Sequence, residues 1–355
     1  MPFATVNGNR IHYLRTDMGA EDDREELVMV HGLATSLAFW YLQYVPAFQD
    51  RFRITLYDLR GHGRSDMTPE GYTPAALADD LAGLLDHLGI TSAHFLAHSF
   101  GGVITMNLAS RQPERVRSLV LADTHISAVR HVETPQEWRH GEALQRIVDR
   151  HGLDLSTRDP YFGYKLLTRV AHWQLNGLTV PAELAQLAGP LVGQRNNRAA
   201  QHWLHLMQST GAEAELMGDD GLTPERLRLF DFAIMAMYAD HSQARLTGAE
   251  LLDLWPHAVF RRVRDAGHFF PTSKPEEVIS GCQRFWDGEF GADPLRRRAG
   301  EGQQRHFRSD RVYQDGGQWY FSTREDARVG PFPDGDKAQA SLGRYLRHVT
   351  AAAAA

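Results

Sequence analysis

Residues 93–102 read Ala-His-Phe-Leu-Ala-His-Ser-Phe-Gly-Gly, and the fold prediction starts from this stretch. An apolar run followed by a serine and two glycines is typical of a buried strand that turns sharply into a helix. The turn forces Ser99 into sparsely populated backbone angles, so that its hydroxyl points out of the sheet. Because the first N–H groups of the helix lie beside that hydroxyl, the turn can present a nucleophile next to donors for an oxyanion.

Strand-like and helix-like segments alternate on both sides of this turn. Asn7-Gly8 joins two short extended runs and predicts an opening hairpin. The alternation predicts an α/β fold, a doubly wound and mostly parallel sheet with helices on both faces. Ligands of such sheets bind beyond the carboxyl ends of the strands. Ser99, Asp123 and the turn His31-Gly32 all follow predicted strands at such ends.

The strand pattern is interrupted by about 105 residues of helical and aromatic sequence, which is too long for a loop and must fold by itself. We expect this insertion to form a helical cap over the active end of the sheet. A glycine- and arginine-rich stretch then predicts a linker before a small C-terminal module. The predicted units are the core (1–124 and 231–290), the cap (125–230), the linker (291–304), the module (305–350) and an alanine tail (351–355).

The module is predicted to be a β-hairpin followed by a helix. Its segments Trp319-Tyr320-Phe321 and Gly330-Pro331-Phe332 faintly resemble aromatic peptide-binding modules of the GYF type. The alternative is that these aromatic side chains build a small core of their own. The first interpretation would make residues 305–350 a site for a protein partner or for self-association.

The composition restricts the classes of partner. The chain has 355 residues, 43% hydrophobic and 23% charged, with a net charge of −6, which is typical of a globular protein and argues against a nucleic acid partner. We find no signal-peptide pattern and no apolar run of about eighteen residues, so we expect a cytoplasmic protein without a membrane span. No histidine, cysteine and carboxylate spacing indicates a metal site, and no glycine fingerprint indicates a dinucleotide. We therefore expect no cofactor.

Ala97-His98-Ser99-Phe100-Gly101 resembles the nucleophile elbow of the α/β-hydrolase superfamily, with alanine in place of the first glycine of G-x-S-x-G. Gly267-His268-Phe269 resembles the loop that carries the catalytic histidine in that family, and it follows the serine in the family's order. The likeness is to the serine hydrolase and esterase branch with a helical cap. It implies Ser99 as nucleophile and His268 as base, with the backbone N–H groups of Phe100 and Leu33 as the oxyanion hole.

The acid that orients His268 has two candidates. The family's usual acid follows the strand after the cap, and in this chain the corresponding position holds Ser242, while Asp240 lies two residues earlier. Asp123, at the end of the preceding strand, occupies the alternative acid position seen in thioesterases and haloalkane dehalogenases. We favour Asp123 and keep Asp240 as the alternative.

The resemblance implies a cofactor-free serine hydrolase that cleaves an ester, thioester or lactone through an acyl-enzyme. The aromatic cap and the negative net charge favour a small-molecule substrate with an apolar or aromatic acyl group. Trp138, Trp173 and Trp203 are candidates to bind it, although such aromatics can equally form the core of the cap. The same residues would also suit an acyltransferase or thioesterase, a C–C bond hydrolase, or, in another class, a ligand receptor on a hydrolase scaffold.

Overall fold

The structure, a computed structural model, describes residues 2–16, 23–129, 139–159, 161–192, 197–290, 312–315, 318–321, 329–338 and 340–342. Its largest element is an eight-stranded sheet with the order β1-β2-β4-β3-β5-β6-β7-β8. The strands are β1 (Phe3–Val6), β2 (Asn9–Arg15), β3 (Glu25–Val30), β4 (Phe52–Tyr57), β5 (Ala93–His98), β6 (Val116–Ala122), β7 (Ala233–Ala239) and β8 (Val259–Val263).

The pairing confirms the predicted α/β fold. β1 and β2 form the antiparallel hairpin, and β2 also runs antiparallel to β4, while the other neighbouring strands are parallel. Asn7 and Gly8 make the hairpin turn with φ of +49° and +81°, values that these two residue types tolerate well. The parallel strands end on one side of the sheet, so their carboxyl ends form one edge.

Helices cover both faces of the sheet because its strands are apolar on both sides. Along β3, Val28 and Val30 belong to the cluster on one face, and Leu27 and Met29 belong to the cluster on the other. The core helices are α1 (Ala38–Phe48), α2 (Pro74–His87), α3 (Phe100–Arg111), α10 (Arg245–Leu254), α11 (Phe270–Ser273) and α12 (Pro275–Trp286).

Between β6 and β7 the described residues form helices joined by loops, with no strand among them, and their apolar side chains join the cluster on one face of the sheet. The sequence does not mark the start of α5, because the preceding Tyr161 makes no side-chain capping bond. The cap helices are α4 (Arg139–Arg150), α5 (Phe162–Leu175), α6 (Ala182–Ala188), α7 (Asn197–Ser209), α8 (Ala212–Leu216) and α9 (Pro224–Leu227).

The described C-terminal residues form a separate antiparallel sheet of β9 (Val312–Asp315), β10 (Gln318–Phe321) and β11 (Val329–Phe332). The expected hairpin is present, but the third strand was not predicted, since its Gly-Pro pair argues against a strand. Tyr320 and Phe321 are buried, which supports the interpretation of these aromatics as a small core. Within the described ranges, no helix is both long and apolar enough to cross a membrane.

Candidate active site

Ser99 lies at the turn between β5 and α3, at the carboxyl edge of the sheet. Its φ of +54° and ψ of −123° are strained for a residue with a side chain, and its N–H donates to the carbonyl of Ala122 at 2.9 Å. Only glycine fits at position 101, because a Cβ there would lie 2.5 Å from the carbonyl oxygen of Val30. The sharp crossing expected from the sequence is therefore built by close contact between α3 and β3.

The structure brings His268 and Asp123 to this serine. His268 lies on the loop between β8 and α11, and its Nε2 is 2.9 Å from Ser99 Oγ. Its Nδ1 is 2.6 Å from Asp123 Oδ2. Since a carboxylate accepts, Nδ1 carries the proton of the neutral ring, and Nε2 is left with a lone pair that faces the Ser99 hydroxyl.

Asp123 follows β6 and is completely buried, with φ of +55°. Its Oδ1 accepts from the N–H of Ala239 at 3.0 Å, and its Oδ2 accepts from the hydroxyl of Ser242 as well as from His268. A buried charge needs such partners, and three donors compensate this carboxylate. Ser242, which stands at the position where the resemblance places the usual acid, thus contacts Asp123, the favoured candidate.

Asp240, the alternative acid, lies apart from the imidazole. Its Oδ2 accepts from Arg262 Nη2 at 2.9 Å, and its Oδ1 accepts from Arg262 Nε. The Asp240 side chain therefore forms an ion pair with Arg262 instead of contacting His268. The geometry favours Asp123 as the partner of His268.

The loop after β3 places Leu33 close to the nucleophile. A Cβ on Gly32 would lie 2.9 Å from Ser99 Cβ, so the loop passes close beside Ser99 and leaves no room for a side chain at position 32. Among the described residues, neither the N–H of Leu33 nor that of Phe100 donates to a backbone carbonyl outside a helix or strand. Both N–H groups therefore remain candidates for the oxyanion hole that the sequence resemblance implies.

His31 supports this loop and is completely buried. Its Nδ1–H donates to the carbonyl of Gly32 at 2.8 Å, and its Nε2 accepts from the N–H of Leu59 at 3.1 Å. Burial lowers the pKa of His31, the nearby Asp58 opposing this only in part, so the ring stays neutral and keeps one donor and one acceptor. His31 therefore holds the backbone that carries Leu33.

The three cap tryptophans have different positions. Trp203 is 1% exposed, and its indole N–H donates to Thr168 Oγ1 at 3.1 Å, while Trp173 is half-buried against the same cluster. Both placements support the alternative in which these side chains form the core of the cap. Trp138 lies outside the described residues.

Two residues that contact the candidate site were not predicted as part of it. Ser242 reaches Asp123, as described above, and His98 donates from Nε2 to the backbone carbonyl of His268 at 2.9 Å. The only sequence signal for His98 was its place directly before Ser99. Within the part of the chain that the structure describes, no group of three or more histidine, cysteine or acidic side chains is arranged to hold a metal ion.

Comparison with known proteins agrees with the fold. Residues 26–158 match the family described as alpha/beta hydrolase fold, and residues 297–351 match a domain of unknown function, DUF6316. The sheet topology and this match agree on an α/β-hydrolase fold, and the matched residues include the turn at Ser99.

The chain is similar in sequence to proteins that carry hydrolase names. It is 38% identical over 124 residues to the "Putative carbamate hydrolase RutD" of Caulobacter sp. (strain K31), covering 35% of this chain and 45% of that protein. It is 36% identical over 132 residues to the 3-oxoadipate enol-lactonase 2 of Acinetobacter baylyi, covering 37% and 46%. These matches thus span less than half the length of either relative.

A solved structure extends the likeness over the whole fold. The enol-lactonase from Burkholderia xenovorans LB400 superposes with a TM-score of 0.55 and 24% sequence identity, and the match covers 81% of this chain and 100% of that one. At this identity the likeness concerns the fold alone.

Proposed function

We propose that the protein is a cofactor-free serine hydrolase that cleaves a carboxylic ester, thioester or lactone. The observation that carries the proposal is the continuous path from the Ser99 hydroxyl through the His268 imidazole to the buried Asp123 carboxylate, with contacts of 2.9 Å and 2.6 Å. Serine is a weak nucleophile at neutral pH, and a histidine within hydrogen-bonding distance is the base that activates it.

The proposed reaction has two halves. His268 Nε2 takes the proton from Ser99 Oγ as the oxygen attacks the substrate carbonyl, and the N–H groups of Phe100 and Leu33 donate to the oxyanion. The imidazolium then protonates the leaving oxygen or sulfur, and an acyl-enzyme remains on Ser99. A water that gives its proton to Nε2 attacks the acyl carbon, and the free acid leaves as Ser99 regains its proton.

Asp123 keeps its charge throughout this cycle. It fixes the tautomer of His268 and stabilises the imidazolium that forms twice in each turnover. The donors from Ala239 and Ser242 hold the carboxylate in place, so that the ring cannot turn away from Ser99.

The relatives and the charge of the chain bear on the substrate class. The relatives named enol-lactonase and carbamate hydrolase support an activated carbonyl as the reacting group. The net charge of −6 and the apolar packing of the cap on the sheet favour a neutral, apolar or aromatic acyl group over a phosphorylated one.

A panel of p-nitrophenyl esters and acyl thioesters of increasing chain length tests the proposal. Wild type should hydrolyse part of the panel, and Ser99→Ala should lose at least about 10⁴-fold in kcat. A fluorophosphonate should label Ser99 in the folded wild-type protein. The matched control is Ser92→Ala, just before the start of β5. It should change neither the rate of ester hydrolysis nor the rate of labelling.

An unlabelled Ser99 in folded protein, or an S99A variant as active as wild type, would refute the proposal. Acyl transfer on the same residues would appear as ester product when an alcohol competes with water. Biological activity that survives Ser99→Ala would instead favour the receptor class.

A further inference from the structure

His98 is a buried side chain that the proposed reaction does not use. It is completely buried at the end of β5, directly before Ser99. Its Nε2 lies 2.9 Å from the backbone carbonyl oxygen of His268. A carbonyl only accepts, so Nε2 carries the proton, and Nδ1 has no partner among the residues that the structure describes.

The surroundings of His98 keep its ring in one orientation. Phe39 stacks on it with centroids 4.7 Å apart and an interplanar angle of 20°, and Phe269 packs on it at 5.6 Å. Its backbone pairs with Ala122 in the central part of the sheet. Because His98 is held on a central strand and packed between aromatic rings, its Nε2–H keeps one position relative to the group that accepts from it.

His98 also remains a neutral donor. Burial is the main cause that lowers its pKa well below the ordinary value, and the neighbouring His268 at 4.8 Å lowers the pKa further. An imidazolium that forms on His268 during turnover therefore faces a neutral ring instead of a second positive charge.

The bond joins the two halves of the site. His268 is 170 positions away in sequence, on a loop between β8 and α11, and its side chain is 31% exposed. His268, whose carbonyl accepts the hydrogen bond, supplies the proposed base, and His98, which donates it, directly precedes the proposed nucleophile Ser99. The distance between Ser99 and His268 is thus fixed through the backbone as well as through the side chains.

We infer that His98 is a positioning residue, whose Nε2–H holds the backbone of His268 so that the imidazole spans Ser99 and Asp123. The inference rests on the proposed function. This role requires a hydrogen-bond donor at the position of Nε2. An aromatic ring alone, or a donor at the position of Nδ1, would not fulfil the role.

Two amide variants separate these requirements. The side-chain nitrogen of His98→Gln reaches the place of Nε2, whereas that of His98→Asn stops near the place of Nδ1. On a p-nitrophenyl ester that wild type hydrolyses, His98→Gln should keep kcat within about fivefold. His98→Asn and His98→Leu should lose roughly 100-fold in kcat with KM nearly unchanged, because a small displacement of a catalytic group costs about that factor.

Thermal unfolding of each variant separates loss of fold from loss of position. If His98→Leu does not fold, the comparison of Gln with Asn carries the test, since both are polar amides. If His98→Gln and His98→Asn have equal kcat values, whether like wild type or reduced about 100-fold, the positioning role of His98 is overturned. The proposed function stands in that case as long as wild type still reacts with the fluorophosphonate. A wild type that neither hydrolyses the esters nor reacts would overturn the proposed function, and this inference with it.

Discussion

Ser99 and Asp123 follow adjacent parallel strands and share an unusual backbone, with φ of +54° and +55°. Such strain persists only where the surrounding structure imposes it. Here the N–H of Ser99 donates to the carbonyl of Ala122 at 2.9 Å, and the N–H of Asp123 donates to that of Met237 at 2.8 Å. Each strained residue is thus fixed by the next strand of the sheet, and both side chains point to one place.

Replacing the proposed acid tests which carboxylate orients His268. Asp123→Asn keeps the shape of the side chain, but the amide nitrogen can donate to Nδ1 and favour the wrong tautomer. We expect kcat to fall by about 10⁴-fold, as is typical for this substitution in serine triads. Steady-state kinetics on a p-nitrophenyl ester measures the loss.

Asp240→Asn is the matched control. It weakens an ion pair in which the Arg262 side chain is 38% exposed, and such pairs contribute at most about 1 kcal/mol to stability. Its kcat should stay within about twofold of wild type. The reverse pattern, a large loss at position 240 and a small one at 123, would make Asp240 the acid.

The sequence predicted the residues that local pattern identifies. Ser99 lies in a recognisable turn and His268 in a glycine-histidine loop, so the sequence alone could propose both residues, and the structure places their side chains in contact. The sequence favoured Asp123 as the acid but left Asp240 open, since the choice depends on which carboxylate reaches His268 across the sheet edge. Ser242 was not recognised as a partner of Asp123, because a bond between residues 119 positions apart leaves no local signal.

At the scale of elements, the cap contacts the loop of the proposed base at Gly189, just after α6. This residue has φ of +45°, and a Cβ there would lie 2.6 Å from Cδ2 of Phe269. Phe269 follows His268 directly, and the two rings are 5.1 Å apart. The position of the cap is therefore coupled to the side chain next to the base.

Gly189→Ala should disturb this contact. The added methyl group must displace the Phe269 ring or the end of α6, so we expect a loss of roughly tenfold in kcat/KM on a p-nitrophenyl ester. Gly177→Ala is the control, because Gly177 has φ of +69° and no atom within 4 Å of an added Cβ. Both variants carry backbone strain of about 1 kcal/mol, but only the methyl group of Gly189→Ala contacts the Phe269 ring.

Equal activity of the two alanine variants, with equal shifts in Tm, would show that the contact with Phe269 has no influence on the reaction. A selective loss at position 189 would place the cap among the elements that set the geometry of His268.

The elements themselves were predictable to different degrees. The sequence carries clear signals for the buried parallel strands, which have continuous apolar runs, and for α2, which has a capping threonine at Thr73 and a terminating Gly89. The start of α5 lacks a cap, and β11 contains Gly330 and Pro331, so both elements depend on tertiary contacts that the local sequence does not show.

At the scale of the whole molecule, the proposed catalytic residues all precede residue 291. The match to the enol-lactonase structure covers 100% of that protein and 81% of this chain. Residues 1–290 make up about the same fraction of this chain. We therefore expect a chain that ends at residue 290 to fold and to keep kcat/KM within about twofold of wild type.

Light scattering on the full and shortened chains tests in addition whether residues 305–350 mediate self-association. Oligomers of the full chain alone would support that role. Aggregation or inactivity of the shortened chain would show that the C-terminal module completes the core.

Acid should destabilise the whole fold through its buried neutral histidines. Burial is the largest cause that lowers the pKa values of His31, His62 and His98, for His62 to about 3 from 6.5. Above pH 6.5 these rings are neutral in both states and do not change stability with pH. As the pH falls from 6.5 toward the folded pKa, only the unfolded chain binds the protons, so the folded state becomes progressively less stable. Each such group lowers the free energy of unfolding by about 1.4 kcal/mol per pH unit in that window.

His62→Asn isolates one of these contributions. The ring Nδ1 donates to the carbonyl of Arg60 at 3.1 Å and Nε2 has no partner among the described residues, so the asparagine amide can replace the one bond without titrating. Between pH 7.5 and pH 5, urea unfolding should show the variant losing about 2 kcal/mol less than wild type. Ile104→Val, a buried change that binds no proton, should cost the same at both pH values. Parallel losses in wild type and H62N would mean that His62 is protonated in the folded state and that its burial does not set the acid limit of the fold.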